Sequence, residues 1–255
     1  MSGRPKLQRI GSTSKSGGKG RWLARCAALA FAAAMVPWTQ AATLQKTPDF
    51  TGVWMIEKPV ETLQPADGSA VPLTVAARQV YDQHLAMRGQ GNNDFDLTAL
   101  RCASPGAVRL MTLPYALELV QRPDQLTMLF EWNHLYRLIN LRDEPVTAPY
   151  PMAIGISNGH WDGSTLVIET TSLTDNTLLD SSGLPHSLKL RVTEEMRLLG
   201  RNRLEDLITV HDPDTFTRDW TARLHYRKTS AKGIEEDVCL DRLDAGKPPI
   251  DPKRR

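Results

Sequence analysis

"ISNGHWDGSTLVIETTS", residues 156–172, is the stretch on which the fold turns. With Gly155 in front, Gly155-Ile156-Ser157-Asn158-Gly159 fits the G-x-S-x-G pattern that presents a serine nucleophile. Such an elbow needs a strand before the serine and a helix directly after it. Here Asp162-Gly163 follows, and then the β-branched run Thr165 to Thr171. That is a turn followed by a strand. The stretch therefore predicts a hairpin, with Asn158-Gly159 and Asp162-Gly163 as turn dipeptides and no nucleophilic role for Ser157.

The neighbouring segments extend the pattern. "YALELV" (115–120), the turn "QRPDQ" and "LTMLFEW" (126–132) read as another hairpin, with "LYRLINL" (135–141) continuing it. "RDEPVTAPYPM" is a proline-rich loop. "LKLRVTEEMRLL" (188–199), "LEDLITVHD" (204–212), "WTARLHYRK" (220–228) and "IEEDVCL" (234–240) complete the strands, and "TPDFTGVWMIE" (47–57) opens them. Short strands separated by turn residues, without βαβ alternation, predict a mainly β fold. The expected form is a single antiparallel barrel or half-open sheet, calycin-like, with one covering helix. That helix is placed in residues 68–91, where Leu73, Ala76, Ala77, Val80, His84 and Met87 recur at helical spacing. His84 is read as structural.

The ends read differently from the middle. Residues 1–42 carry seven basic residues and no acid, then the apolar stretch "CAALAFAAAMV" and small residues at Thr39 and Ala41. This is the pattern of a cleaved Sec-type signal peptide, so a periplasmic or secreted protein is expected. The apolar core is too short to span a bilayer comfortably, and no stable membrane insertion is expected after cleavage. The whole chain has 31 basic and 29 acidic residues; without the leader, 24 face 29, a net of −5. The chain's slight basicity thus belongs to the leader, and no basic-aromatic patch suggests nucleic acid. The remaining organisation is one β-rich domain over 43–240 and a polar, proline-rich tail over 241–255, expected to be disordered. Only Cys102 and Cys239 follow the leader. In an oxidising compartment such a pair is expected to bridge, the alternative being two separately buried thiols.

The densest candidate for chemistry is "LFEWNHLYRLI" (129–139). If it stays extended, Phe130, Trp132, His134 and Tyr136 share one face, and Glu131 and Arg137 share the other as a charge pair. An aromatic face with an imidazole and a phenol suits a pocket for a flat or apolar molecule. His134 is the natural proton carrier there and Tyr136 a donor. The bland reading is an aromatic ladder with a hydrogen-bonded core histidine. Tyr115, His160, Trp161 and His186 join Phe130 and Trp132 as candidate ligand contacts near strand ends. His211, Asp212 and Asp214 lack a second histidine at ligand spacing, so no metal is expected. No cofactor fingerprint is present. Glu194 and Glu195 alternate across a strand and are not a same-face pair.

Two resemblances follow from these residues. Gly52-Val53-Trp54 resembles the G-x-W that opens lipocalin-like barrels. "PDFTGVW", "CASPGAVRLMTLPY", "LFEWNHLYRLI", "GHWDGSTLVIETT", "LPHSLKLRVTEEM", "DPDTFTRDW" and Cys239 resemble a family of exported bacterial proteins of unknown function. The resemblance spans most of 48–240. It implies export, a β-rich fold and the cysteine bridge, and brings no reaction. It departs at His160, where the family more often carries arginine, which weakens His160 as a catalyst. The leading expectation is an exported barrel that binds a small apolar or aromatic molecule. The alternative is a cofactor-independent acid-base enzyme, a lyase or isomerase, acting on such a molecule with His134 as base. An extracytoplasmic interaction module is a third class.

Overall fold

The computed structural model describes residues 47–251; the signal-peptide reading lies outside them. Nine strands close into one barrel in chain order. They are β1 (Gly52–Ile56), β2 (Leu117–Arg122), β3 (Gln125–Phe130), β4 (Tyr136–Asn140), β5 (Ile156–Asp162), β6 (Thr165–Thr171), β7 (Arg191–Leu198), β8 (Arg203–His211) and β9 (Trp220–Lys228). The mainly β barrel expected from the sequence is therefore found, and it is closed. One pair departs from antiparallel order: β4 and β5 run parallel, paired only at Ile139↔Ser157 and Asn140↔Asn158. The proline-rich 141–155 segment makes this parallel step possible, because a parallel neighbour needs a crossover longer than a tight turn.

Alternation explains the wall. In β3, β6 and β9 every second residue is buried, such as Leu126, Met128 and Phe130, Leu166, Ile168 and Thr170, or Ala222, Leu224 and Tyr226. Those side chains fill the lumen, since successive residues of a strand point to opposite faces.

The 156–172 stretch is the hairpin β5–β6, with Asp162 opposite Thr165 and Gly163 at φ +58° in its turn. No helix follows Ser157, and Ser157 is buried inside the barrel. Asn158-Gly159 is not a second turn; it lies within β5. A side chain at Gly159 would collide with Ile139 Cγ2 at 2.9 Å, so the bare backbone lets β4 come close. Asn158 uses its amide as a backbone mimic. Its Nδ2 donates to Val146 O at 2.9 Å, and its Oδ1 accepts from Val146 N at 2.8 Å, which holds the crossover in place.

Beside the expected helix in 68–91, three shorter ones stand outside the barrel strands among the described residues, giving α1 (Val75–Gly89), α2 (Leu97–Arg101), α3 (Ala107–Thr112) and α4 (Cys239–Asp244). Thr74 caps α1 by accepting from Ala77 N, so the helix begins later than the apolar periodicity alone suggests. His84 Nδ1 donates to Gly183 O at 2.7 Å, and the ring stacks on Phe95. All of α3 is buried. Arg109 of α3 makes a two-pronged pair with Asp96 at 2.9 and 2.8 Å. Tyr226 in the lumen donates to Met111 O of α3 at 2.6 Å. α3 thus stops one barrel mouth.

The C-terminal segment is also ordered through Asp251. It had been expected as an unstructured tail, but α4 forms, Trp132 Nε1 donates to Pro249 O at 2.9 Å, and Asp251 N donates to Tyr115 Oη at 2.8 Å. Cys102 and Cys239 are joined, tying the end of α2 to the start of α4.

Candidate functional site

The inward face is apolar except for one polar group of side chains. Arg137 points inward from β4 because it shares the face of Ile139. Its Nε donates to Ser157 Oγ at 3.0 Å, its Nη1 to Glu194 Oε1 at 2.9 Å, and its Nη2 to Thr170 Oγ1 at 2.6 Å and to Glu194 Oε2. Ser157 and Thr170 hydroxyls are 2.9 Å apart. Glu194 points inward from β7 between Val192 and Met196. The pair is 2% exposed on each side. Burial is the largest single influence on Arg137 and lowers its pKa, but the charge and hydrogen bonds of Glu194, with the charges of Asp206 and Tyr226, together outweigh it and raise it. Arg137 is therefore a cation with a matched charge and four of its five N–H donors committed.

Asp206 differs. It points inward from β8, on the face of Leu204, Ile208 and Val210, and stands opposite Met196 and Leu224. It is 0% exposed, and neither carboxyl oxygen has a hydrogen-bond partner among the described residues. Burial first, and then the neighbouring charge of Glu194, push its pKa well above the usual carboxylate range, against the pull of Arg137. Both influences favour the protonated, neutral form of the acid. Tyr226 of β9 feels the same surroundings: burial and then Asp206 raise its pKa. A neutral buried acid holds one proton to donate and oxygens able to accept.

The residues picked from sequence fall in several places. Among the described residues the 129–139 stretch does not stay extended. β3 ends at Phe130, a 3-10 turn covers Trp132–His134, and Asn133 and His134 have φ of +52° and +49°. This reversal shifts the alternation, so Phe130 faces the lumen while Tyr136 is 60% exposed on the outer wall. His134 is exposed; Asp237 N donates to its Nε2 at 3.4 Å, with Glu235 O at 3.3 Å. Glu131 and Arg137 are not a charge pair: Glu131 accepts from Ala116 N at 2.9 Å, and Arg137 is bound to Glu194. Tyr115 and Trp132 come together with the C-terminal segment at one mouth, through the bonds to Asp251 and Pro249. His160 lies exposed on β5, and Trp161 packs on Phe50 with ring centres 5.3 Å apart. His186 is buried between Thr177 Oγ1 at 2.8 Å and Ser187 O at 3.1 Å, and burial lowers its pKa. Sequence reasoning passed over Glu194 and Asp206 and placed Arg137 on the wrong partner. The available signal was a lone charge with apolar residues two positions away on either side, which marks an inward position.

No protein-family model matches the chain, and no curated protein matches it. Among solved structures it is similar to a Schistosoma mansoni fatty acid binding protein in complex with arachidonic acid. Identity there is 14%, the match covers 71% of this chain and 96% of that one, and the TM-score is 0.35. A REP1-NXSQ fatty acid transporter gives 9% identity, 71% and 97% coverage, and a TM-score of 0.35. A mutant of the fluorescent protein UnaG gives 16% identity, 71% and 97% coverage, and a TM-score of 0.34. Each is a weak overall likeness between barrels.

Proposed function

We propose that the chain is an exported carrier that holds a small, largely apolar molecule in the barrel lumen, with the Arg137–Glu194–Asp206 group as its polar anchor. The observation that carries this reading is Asp206. A buried polar group without a partner costs on the order of 1–3 kcal/mol, and more if charged. Natural sequences tolerate such local violations at functional sites. Side chains fill the lumen, so a ligand has to displace some of them; Met128 and Met196 are unbranched and are the ones best able to swing aside. The export reading draws on the basic-then-apolar leader and on the disulfide, which suits an oxidising compartment.

The test is binding of the neutral dye Nile red, followed by its fluorescence. One molecule should bind per chain with micromolar affinity. Ala222→Trp, which fills the lumen opposite Ile208, should weaken binding at least ~10-fold. The outer-wall changes Leu138→Ala and Tyr136→Ala should leave it alone. Binding that survives Ala222→Trp in a cooperatively folding protein, or that is lost in the outer-wall variants, would contradict a lumen site.

The raised pKa of Asp206 supports a second reading, in which the same lumen runs acid-base chemistry. Asp206 would be the acid, with Tyr226 beside it. Turnover that falls by roughly 10²–10⁴ in Asp206→Asn, with binding intact, would favour the enzyme.

A further inference from the structure

We propose that the lumen ligand is an amine: an apolar body whose nitrogen docks on Asp206. This rests on the reading of the lumen as a binding site. Most polar groups of the inner wall are already committed. Arg137 already directs Nε, Nη1 and Nη2 at Ser157, Glu194 and Thr170, and its charge is matched by Glu194. An arriving carboxylate would meet no uncommitted cation among these groups and would stand beside Glu194 and Asp206. Tyr226 gives its proton to Met111 O, so what it turns to other groups is an oxygen acceptor. Asp206 offers two further oxygens and a single proton. Against these acceptors the wall leaves few donors, one Arg137 N–H and the buried Trp220 Nε1, so its complement is a group with several N–H donors.

The proton balance is simple. An amine arrives from water near pH 7 as an ammonium, so docking on the protonated Asp206 acid releases one proton to solvent and leaves the ammonium against a carboxylate. The four charges then present, on Arg137, Glu194, Asp206 and the ligand nitrogen, sum to zero. The groups whose charge acts on Asp206 fit this state: Arg137 from β4, Glu194 from β7, and the neighbouring Glu205 of β8, itself paired with Arg197 and Arg223, with Tyr226 of β9 alongside. Charge-assisted hydrogen bonds formed out of water are stronger than neutral ones, so the head group should dominate selectivity.

Octylamine, octanol and octanoate share one apolar chain and differ only in the head group. Their affinities can be measured by calorimetry and by displacement of Nile red. The amine should bind about tenfold or more tighter than the alcohol, and the acid should bind weakest of the three. Asp206→Asn should bring the amine down to the level of the alcohol while alcohol binding stays within about threefold. Octanoate binding as tightly as octylamine would overturn the proposal, as would an amine preference that persists in Asp206→Asn. The wild-type ranking decides the matter even if that variant folds poorly. If Nile red binds and the amine holds no advantage, the ligand class is wrong and the lumen site stands. If neither Nile red nor any of the three compounds binds, the lumen site falls and this proposal with it.

Discussion

Glu194→Gln should cost about 3–5 kcal/mol of stability, because it strands the Arg137 charge inside the barrel. For a domain of this size, that is a fall in melting temperature of roughly 10–20 °C. The glutamine keeps the shape of the side chain and one acceptor, so the loss reports charge and not a cavity. The variant should also acquire a distinctive pH dependence. Asp206 is the other buried carboxyl whose charge Arg137 feels. Without Glu194 it is free to ionise and take over as counter-ion, so the deficit should be larger at pH 5 than at pH 8. Replacing both members, as Arg137→Met with Glu194→Met, should recover most of the loss, since an apolar pair fits a lumen of leucines and methionines. Urea unfolding of the single and double variants checks all three statements. A single variant that loses under about 1 kcal/mol would mean the pair is hydrated and the barrel more open than described.

Breaking the Cys102–Cys239 bridge should have a comparable effect. The bond closes a loop with a sequence separation of 137. On the chain-entropy view, a loop of that length restrains the unfolded chain by roughly 4–5 kcal/mol. The native consequence is local. The bridge holds α4 and the segment up to Asp251 over the mouth that α3 stops, where Trp132 and Tyr115 bind Pro249 and Asp251. Reduction should lower the melting temperature by at least ~10 °C and loosen this segment before the barrel. Peptide mapping without reductant should recover the linked fragments. Two freely alkylatable thiols in folded protein would contradict the bridge.

Most of the barrel could be read from the sequence, because its information is local. The alternation of β3, β6 and β9 and the Asp162-Gly163 turn specify strands and a hairpin within a few residues, and they disqualify the serine elbow without any distant contact. What was illegible depended on distant partners. Asn133 and His134 both adopt positive φ in the turn after β3, a conformation no local signal in Trp132-Asn133-His134 demands. That turn shifts the alternation and sends Tyr136 to the outer wall. Asn158-Gly159 has the composition of a turn, yet Ile139 and Val146 recruit it into β5. The inward charges were visible as residues but not as a group. Arg137, Glu194 and Asp206 come from three strands, and only the register of the closed barrel brings them together. A charge in a strand is ordinarily assigned to the solvent side; the cost of burying Arg137 and Glu194 is recovered by their pairing across 57 positions, while Asp206 is left without a partner among the described residues.

The protonation of Asp206 decides whether the lumen holds an unmet acid, and a carboxyl ¹³C NMR titration measures it. The resonance is assigned by its absence from Asp206→Asn. A group whose folded pKa is raised contributes most to stability below the unfolded pKa of about 4. That contribution is lost as the pH rises toward the folded value. The account therefore predicts a protonated Asp206 at pH 6, and stability that declines more steeply above pH 4 in the wild type than in Asp206→Asn. It predicts, in addition, that saturating octylamine converts the resonance to that of a carboxylate. An Asp206 that titrates near pH 4 like an exposed aspartate would contradict it, because the carboxyl would then be hydrated or paired and the lumen would have no unmet acid to offer a ligand.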